Sequence, residues 1–125
     1  MATKPRPKHL NLFVIRQPIP AIVSILHRVS GVLIFLFLWL FLSGLQRSLV
    51  SPDALADVKA TMDQPIMKLV VLVLAWSFLH HFFAGLRHLA LDLRIGIELP
   101  KARAMAWAAL VISLVLTVLV GALLW

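Results

Sequence analysis

The chain has 125 residues, is 62% hydrophobic and strongly basic, with twelve Lys and Arg against five Asp and Glu. So much apolar surface cannot be hidden in one small water-soluble core, and a bilayer is the solvent the composition suits. The absence of cysteine excludes disulfides, thiolate nucleophiles and cysteine ligands to an iron–sulfur cluster, and the basic residues flank apolar runs instead of lining the continuous face that a nucleic-acid binder needs.

In chain order, residues 1–28 hold Lys4, Arg6, Lys8, Arg16 and Arg28 but no apolar core of signal-peptide type. Pro18 and Pro20 favour extended backbone before them and suit a helix start, which places the first helix near Ala21. Ser24 to Arg28 then fall at the membrane boundary. Three apolar runs, 29–45, 66–86 and 104–125, each approach the length of about 20 residues that crosses a hydrocarbon core. Between the first two, SPDALADVKATMDQP carries a capping pattern at Ser51 or Asp53, with Pro65 where the second span begins. The expected fold is all-α, an integral membrane domain covering 1–125 with three transmembrane helices.

Charge sets the expected topology. The first loop has only Arg47 and Lys59 beside Asp53, Asp57 and Asp63, whereas Arg87, Arg94, Lys101 and Arg103 crowd the second. By the positive-inside rule the N-terminus faces the cytoplasm and the C-terminus ends outside, with Trp125 as an interfacial anchor. Trp39, Trp76 and Trp107 pack between helices or face lipid.

Histidine supplies the first candidate chemistry. His81, Ala84, Gly85 and His88 fall at i, i+3, i+4 and i+7 and share one helix face, while His80 points about 100° away. Ala84 and Gly85 are nearly bare, so a flat macrocycle or another helix can approach the backbone there. His81 lies roughly 8 Å inside the apolar run, too deep to snorkel easily. It is either a functional group or an imidazole hydrogen-bonded to a neighbouring helix. If it binds haem, Arg87, His88, His27 and Arg28 gather at the same end to meet the propionates. Adjacent histidines diverge too far to clamp one iron. No histidine occurs in the first or third apolar run, so a second imidazole ligand would come from another polypeptide and the bundle would be heteromeric.

A second stripe precedes the first span. In SILHRVSG, residues 24–31, Ser24, His27, Arg28 and Gly31 repeat the same spacing. They offer a hydroxyl, an imidazole and a permanent cation beside a small residue, at the depth where a quinone headgroup meets protein. Quinone reduction needs donors to carbonyl oxygens, a proton route and positive potential. An interfacial helix start with Arg28 snorkelling to phosphate accounts for the pattern equally well.

These residues carry a resemblance. RPKHLNLFVIRQPIPAIVSILHRVSG (residues 6–31) and HFFAGLRHLALD (residues 81–92), in three-span register, closely resemble the cytochrome b membrane-anchor subunit of succinate dehydrogenase, the larger of two small anchors of respiratory complex II. The family pattern H-x-x-x-G-x-R-H fits His81, Gly85, Arg87 and His88 and selects His81 over His80 as the axial ligand. The resemblance implies a haem b shared with a second small anchor that supplies the opposing histidine. It also implies a flavoprotein that holds FAD and oxidises succinate, and an iron–sulfur subunit that relays electrons to ubiquinone where it meets the anchors. Ser24 and Arg28 match the quinone-site serine and arginine, with His27 and His88 as propionate or quinone-pocket neighbours. The resemblance implies a bacterial inner membrane, a non-catalytic-alone subunit linking the tricarboxylic acid cycle to electron transport, and no nucleic-acid partner. A haem-free structural anchor and a fumarate reductase anchor are the alternatives. A transporter fits poorly, since no span is broken by proline or carries a carboxylate at its centre.

Overall fold

In the computed structural model, which describes residues 15–125, every helix opens on a proline at its first or second position. The helices are α1 (Ile19–Ser48), α2 (Pro52–Met62), α3 (Pro65–Asp92) and α4 (Leu99–Leu124), and the described residues contain no strand. Proline fits there because the first helical N–H groups have no intrahelical partner and its fixed φ is already helical. For the same reason α1 begins at Ile19, slightly before the expected Ala21: Pro18 caps it in extended backbone and Pro20 lies inside the first turn.

Helices α1, α3 and α4 are long and apolar enough to cross a membrane, and α2 is a short polar joint. Alternating up and down, α3 packs against both α1 and α4. The chain is therefore a multi-pass, all-helical membrane protein. Each spanning helix extends beyond its apolar run at the end that carries Arg28, Arg94, Lys101 and Arg103.

The interior reverses the pattern of a water-soluble core. Buried residues are small or polar: Val23, Ala84, Ala106 and Ala109, with Ser30, Ser77, His80, Arg87, Ser113 and Thr117. Bulky apolar side chains point outward, among them Phe35, Trp39 and Leu123. Lipid tails are as apolar as leucine, so helices gain little by burying large hydrophobics against each other and associate through close packing of small ones. Each buried hydroxyl is satisfied by a carbonyl three or four residues back: Ser30 to His27 at 2.8 Å, Ser77 to Val73 at 2.8 Å, Ser113 to Leu110 at 2.9 Å and Thr117 to Ser113 at 2.7 Å. Such residues can face a neighbouring helix at membrane depth without leaving an orphaned donor.

Two joints fix the ends. The Ser51 hydroxyl caps α2 by accepting from Ala54 N at 3.1 Å. After α3 the chain reverses through Arg94 (φ 59) and Gly96 (φ 75). Ile95 N donates to Ala90 O and Arg94 N to Leu91 O, each at 2.9 Å, so Arg94 holds the left-handed position of a Schellman closure where glycine is usual. At the opposite end Lys68 pairs with Asp63 at 3.1 Å and lies 5.6 Å from the centroid of the Trp125 ring, joining the start of α3 to the end of the chain. Trp39 and Trp107 are exposed, and Trp76 packs on His80.

Candidate functional site

The first half of α1 and the second half of α3 bring three imidazoles together. His27 and His81 stack with centroids 4.0 Å apart and planes 13° from parallel, and His88 leans on His27 at 5.0 Å and 60°. Gly85 lies beside this group, where an added Cβ would meet His27 Nε2 at an ordinary contact distance of 3.5 Å. Gly31 is what makes room for it: a Cβ there would lie 2.9 Å from His81 Cε1. The required gap is thus at Gly31 on α1, and not at the Ala84 and Gly85 pair on α3 that was expected to admit a close neighbour.

Hydrogen-bond logic fixes which nitrogen of His81 carries the hydrogen. Its Nδ1 lies 3.0 Å from the His27 carbonyl oxygen and 3.3 Å from Ser30 Oγ. A carbonyl can only accept, and the single Ser30 hydrogen already points to that same carbonyl at 2.8 Å. Nδ1 is therefore the donor to both oxygens. Nε2 keeps its lone pair, has no partner among the described residues, and is not among the buried unsatisfied atoms. An imidazole so held is ready to bind a metal through Nε2.

His80, one residue away, is built into a different environment. It is fully buried, its ring is stacked on Trp76 at 5.3 Å and 17°, and its Nδ1 lies 3.4 Å from Ser113 Oγ on α4. The Ser113 hydrogen is donated to Leu110 O, so His80 Nδ1 donates to the serine and the buried Nε2 lacks a partner among the described residues. His80 ties α3 to α4; His81 faces α1, with no partner for its Nε2 among the described residues.

The 24–31 stripe divides by environment. His27 and Gly31 face α3, whereas Arg28 is exposed and Ser24 is half-buried. Neither the Ser24 hydroxyl nor the Arg28 guanidinium has a side-chain partner among the described residues, which leaves adjacent donors at i and i+4 near the basic end of α1. Arg87 departs from the group expected around it. It is 6% exposed and lies between α3 and α4, lining a cavity of about 220 Å³ with Phe83, Leu86, Met105 and Ala109. One step along a helix is about 100°, and that step turns Arg87 toward α4 while His88 faces α1. His9, Lys4, Arg6 and Lys8 lie outside the described residues.

Ser30 is the residue that periodicity alone passed over. It lies off the chosen stripe, and only the packing of α3 shows that its oxygen touches His81. A serine followed by glycine in an apolar helix, three and four residues after a histidine, was the available signal of close approach.

Residues 2–120 match the family described as the succinate dehydrogenase/fumarate reductase transmembrane subunit. Among similar proteins is the succinate dehydrogenase cytochrome b556 subunit of Coxiella burnetii, 35% identical over 121 residues, covering 96% of this chain and 97% of the relative. That of Paracoccus denitrificans is 32% identical over 91% of this chain and 88% of its own length. The Rickettsia prowazekii protein of the same name is 28% identical over 91% and 89%.

Proposed function

Because the chain belongs to the succinate dehydrogenase/fumarate reductase transmembrane subunit family, we propose that it is a membrane-anchor subunit of a succinate:quinone oxidoreductase, contributing one axial ligand of haem b and part of the quinone-reduction site. The observation that carries the reading is His81, whose Nδ1–H is held by the His27 carbonyl and whose Nε2 has no partner among the described residues.

The residues fit the group. A haem iron takes a neutral imidazole through one nitrogen while the other donates to an oxygen. His80 meets only the second condition: its Nδ1 donates to Ser113 Oγ, but its Nε2 is buried and closed to a metal. His27, His88 and Arg28 would stand toward the propionates, where positive or donating groups offset carboxylate charge. When bound, haem b supplies a one-electron redox centre beside the quinone site. The opposing ligand and the electron supply fall to partners: a second small anchor, an iron–sulfur subunit and a flavoprotein with FAD. The relatives' names support succinate oxidation over fumarate reduction.

For ubiquinone, this chain's part is to bind and orient. The Ser24 hydroxyl and the Arg28 guanidinium are one helical turn apart, and with no side-chain partner among the described residues each can donate to a carbonyl oxygen. Arg28 adds a fixed positive charge that favours electron arrival at the headgroup, and the nearby imidazoles can hold a proton.

The reading is tested on the complex purified through a tag on this chain. His81→Leu should abolish the low-spin b-type bands of the reduced-minus-oxidised spectrum, and unchanged bands would refute the ligand assignment. Arg28→Leu should slow succinate-to-quinone transfer by about tenfold to a hundredfold, and Ser24→Ala by about tenfold, from loss of a charged and a neutral hydrogen bond. Succinate oxidation with a soluble artificial acceptor should persist in both. Equal loss of the two activities would place these residues in assembly instead.

A further inference from the structure

We propose that Ser30 and Gly31 are positioning residues for the axial imidazole, fixing its tautomer and plane so that the haem is held at a lower potential than a freely rotating histidine would give. The inference rests on the reading of His81 as the haem ligand and concerns residues to which that reading assigns no role.

The contacts form a closed set. Ser30 is fully buried and its hydroxyl donates to the His27 carbonyl at 2.8 Å, which leaves its lone pairs for His81 Nδ1 at 3.3 Å. The His27 carbonyl itself accepts from Nδ1 at 3.0 Å. One Nδ1–H is thus shared between two oxygens that are tied to each other. The His27 ring lies parallel to the imidazole at 4.0 Å. At the ring edge Gly31 has no side chain, and a Cβ would stand 2.9 Å from Cε1 and 3.3 Å from Nδ1. The imidazole reaches both oxygens only because that space is empty.

This geometry has an electronic consequence. Donation from Nδ1–H draws negative charge toward Nε2, makes it a stronger donor to iron and favours the oxidised metal. A ring pushed off the oxygens is a weaker donor, so the potential rises. Gly31→Ala forces that displacement, because the Cβ and the ring cannot both keep their positions.

The experiment is a redox titration and a ferric electron paramagnetic resonance spectrum of the purified complex carrying Gly31→Ala. The expected result is haem retained, g-values changed by the new ring orientation, and a more positive midpoint. The reduced-to-oxidised ratio at fixed ambient potential should change by about tenfold, about 59 mV for a one-electron couple. Haem retained with unchanged g-values and midpoint overturns the inference. If the variant does not assemble, pulsed electron–nuclear double resonance on the unsubstituted complex decides: a hydrogen-bonded, slowly exchanging proton on the remote imidazole nitrogen supports the inference, and its absence overturns it. The His81→Leu spectrum separates the two levels. Bands that survive His81→Leu remove the ligand reading, whereas bands lost there with Gly31→Ala unchanged remove only the role of α1.

Discussion

His80 and His81 differ by one position and by nearly everything else. His81 donates to oxygens of α1 and has no partner for Nε2 among the described residues, whereas His80 donates across to Ser113 with its ring covered by Trp76. Ser113→Ala removes the side-chain acceptor of His80 on α4 and should destabilise the α3–α4 pair by about 0.6 kcal/mol, the average for a hydrogen bond between helices in a bilayer. Thermal inactivation of the detergent-solubilised complex measures this, with the haem spectrum expected to stay intact. Ser30→Ala should act on the other imidazole: haem retention should fall by about tenfold, as for other residues that orient a metal ligand, read as the haem-to-flavin ratio after washing. The helical period was enough to say that the two rings diverge. Which one meets α4 was not legible, because that depends on where Ser113 falls when α4 docks. Arg87 shows the same limit, since its closeness in sequence to His88 hides the turn of the helix that sends it between α3 and α4.

The starts of α1, α2 and α3 were readable, whereas the start of α4 at Leu99 and the helix ends were not. Proline marks those three beginnings by a local rule, and Ser51 before Pro52 announces its own cap. The end of α3 carries no such mark, because Arg94 holds a left-handed conformation for which its side chain has no preference. Arg94→Gly should therefore stabilise the chain by about 1 kcal/mol by removing the Cβ conflict. Gly96→Ala should do the reverse and by more, since its φ of 75 is unfavourable for alanine and Met105 Sδ occupies the space of the new methyl. Thermal melts of the two variants in one detergent should move in opposite directions.

Across the whole molecule, charge is divided between the ends. Arg28, Arg94, Lys101 and Arg103 outnumber Asp92 and Glu98 at one, whereas Arg47, Lys59 and Lys68 balance Asp53, Asp57 and Asp63 at the other. An alkaline phosphatase fused after Trp125 should be active and one fused between α3 and α4 inactive, if the basic end is cytoplasmic. The reverse pattern would invert the topology. The three spans were visible because hydropathy acts locally. The inside-out packing was not, since apolar residues cover nearly every face and only assembly selects the small ones as the contact. That selection also determines how stability responds to temperature. Separating α1, α3 and α4 within the bilayer exposes alanine and serine faces to acyl chains, and water is a minor participant. The heat-capacity increment that bends the stability curve of a water-soluble domain arises from hydrating apolar surface and is nearly missing here. Lateral dissociation of this bundle should follow an almost straight line against temperature, with no optimum near room temperature and no weakening on chilling.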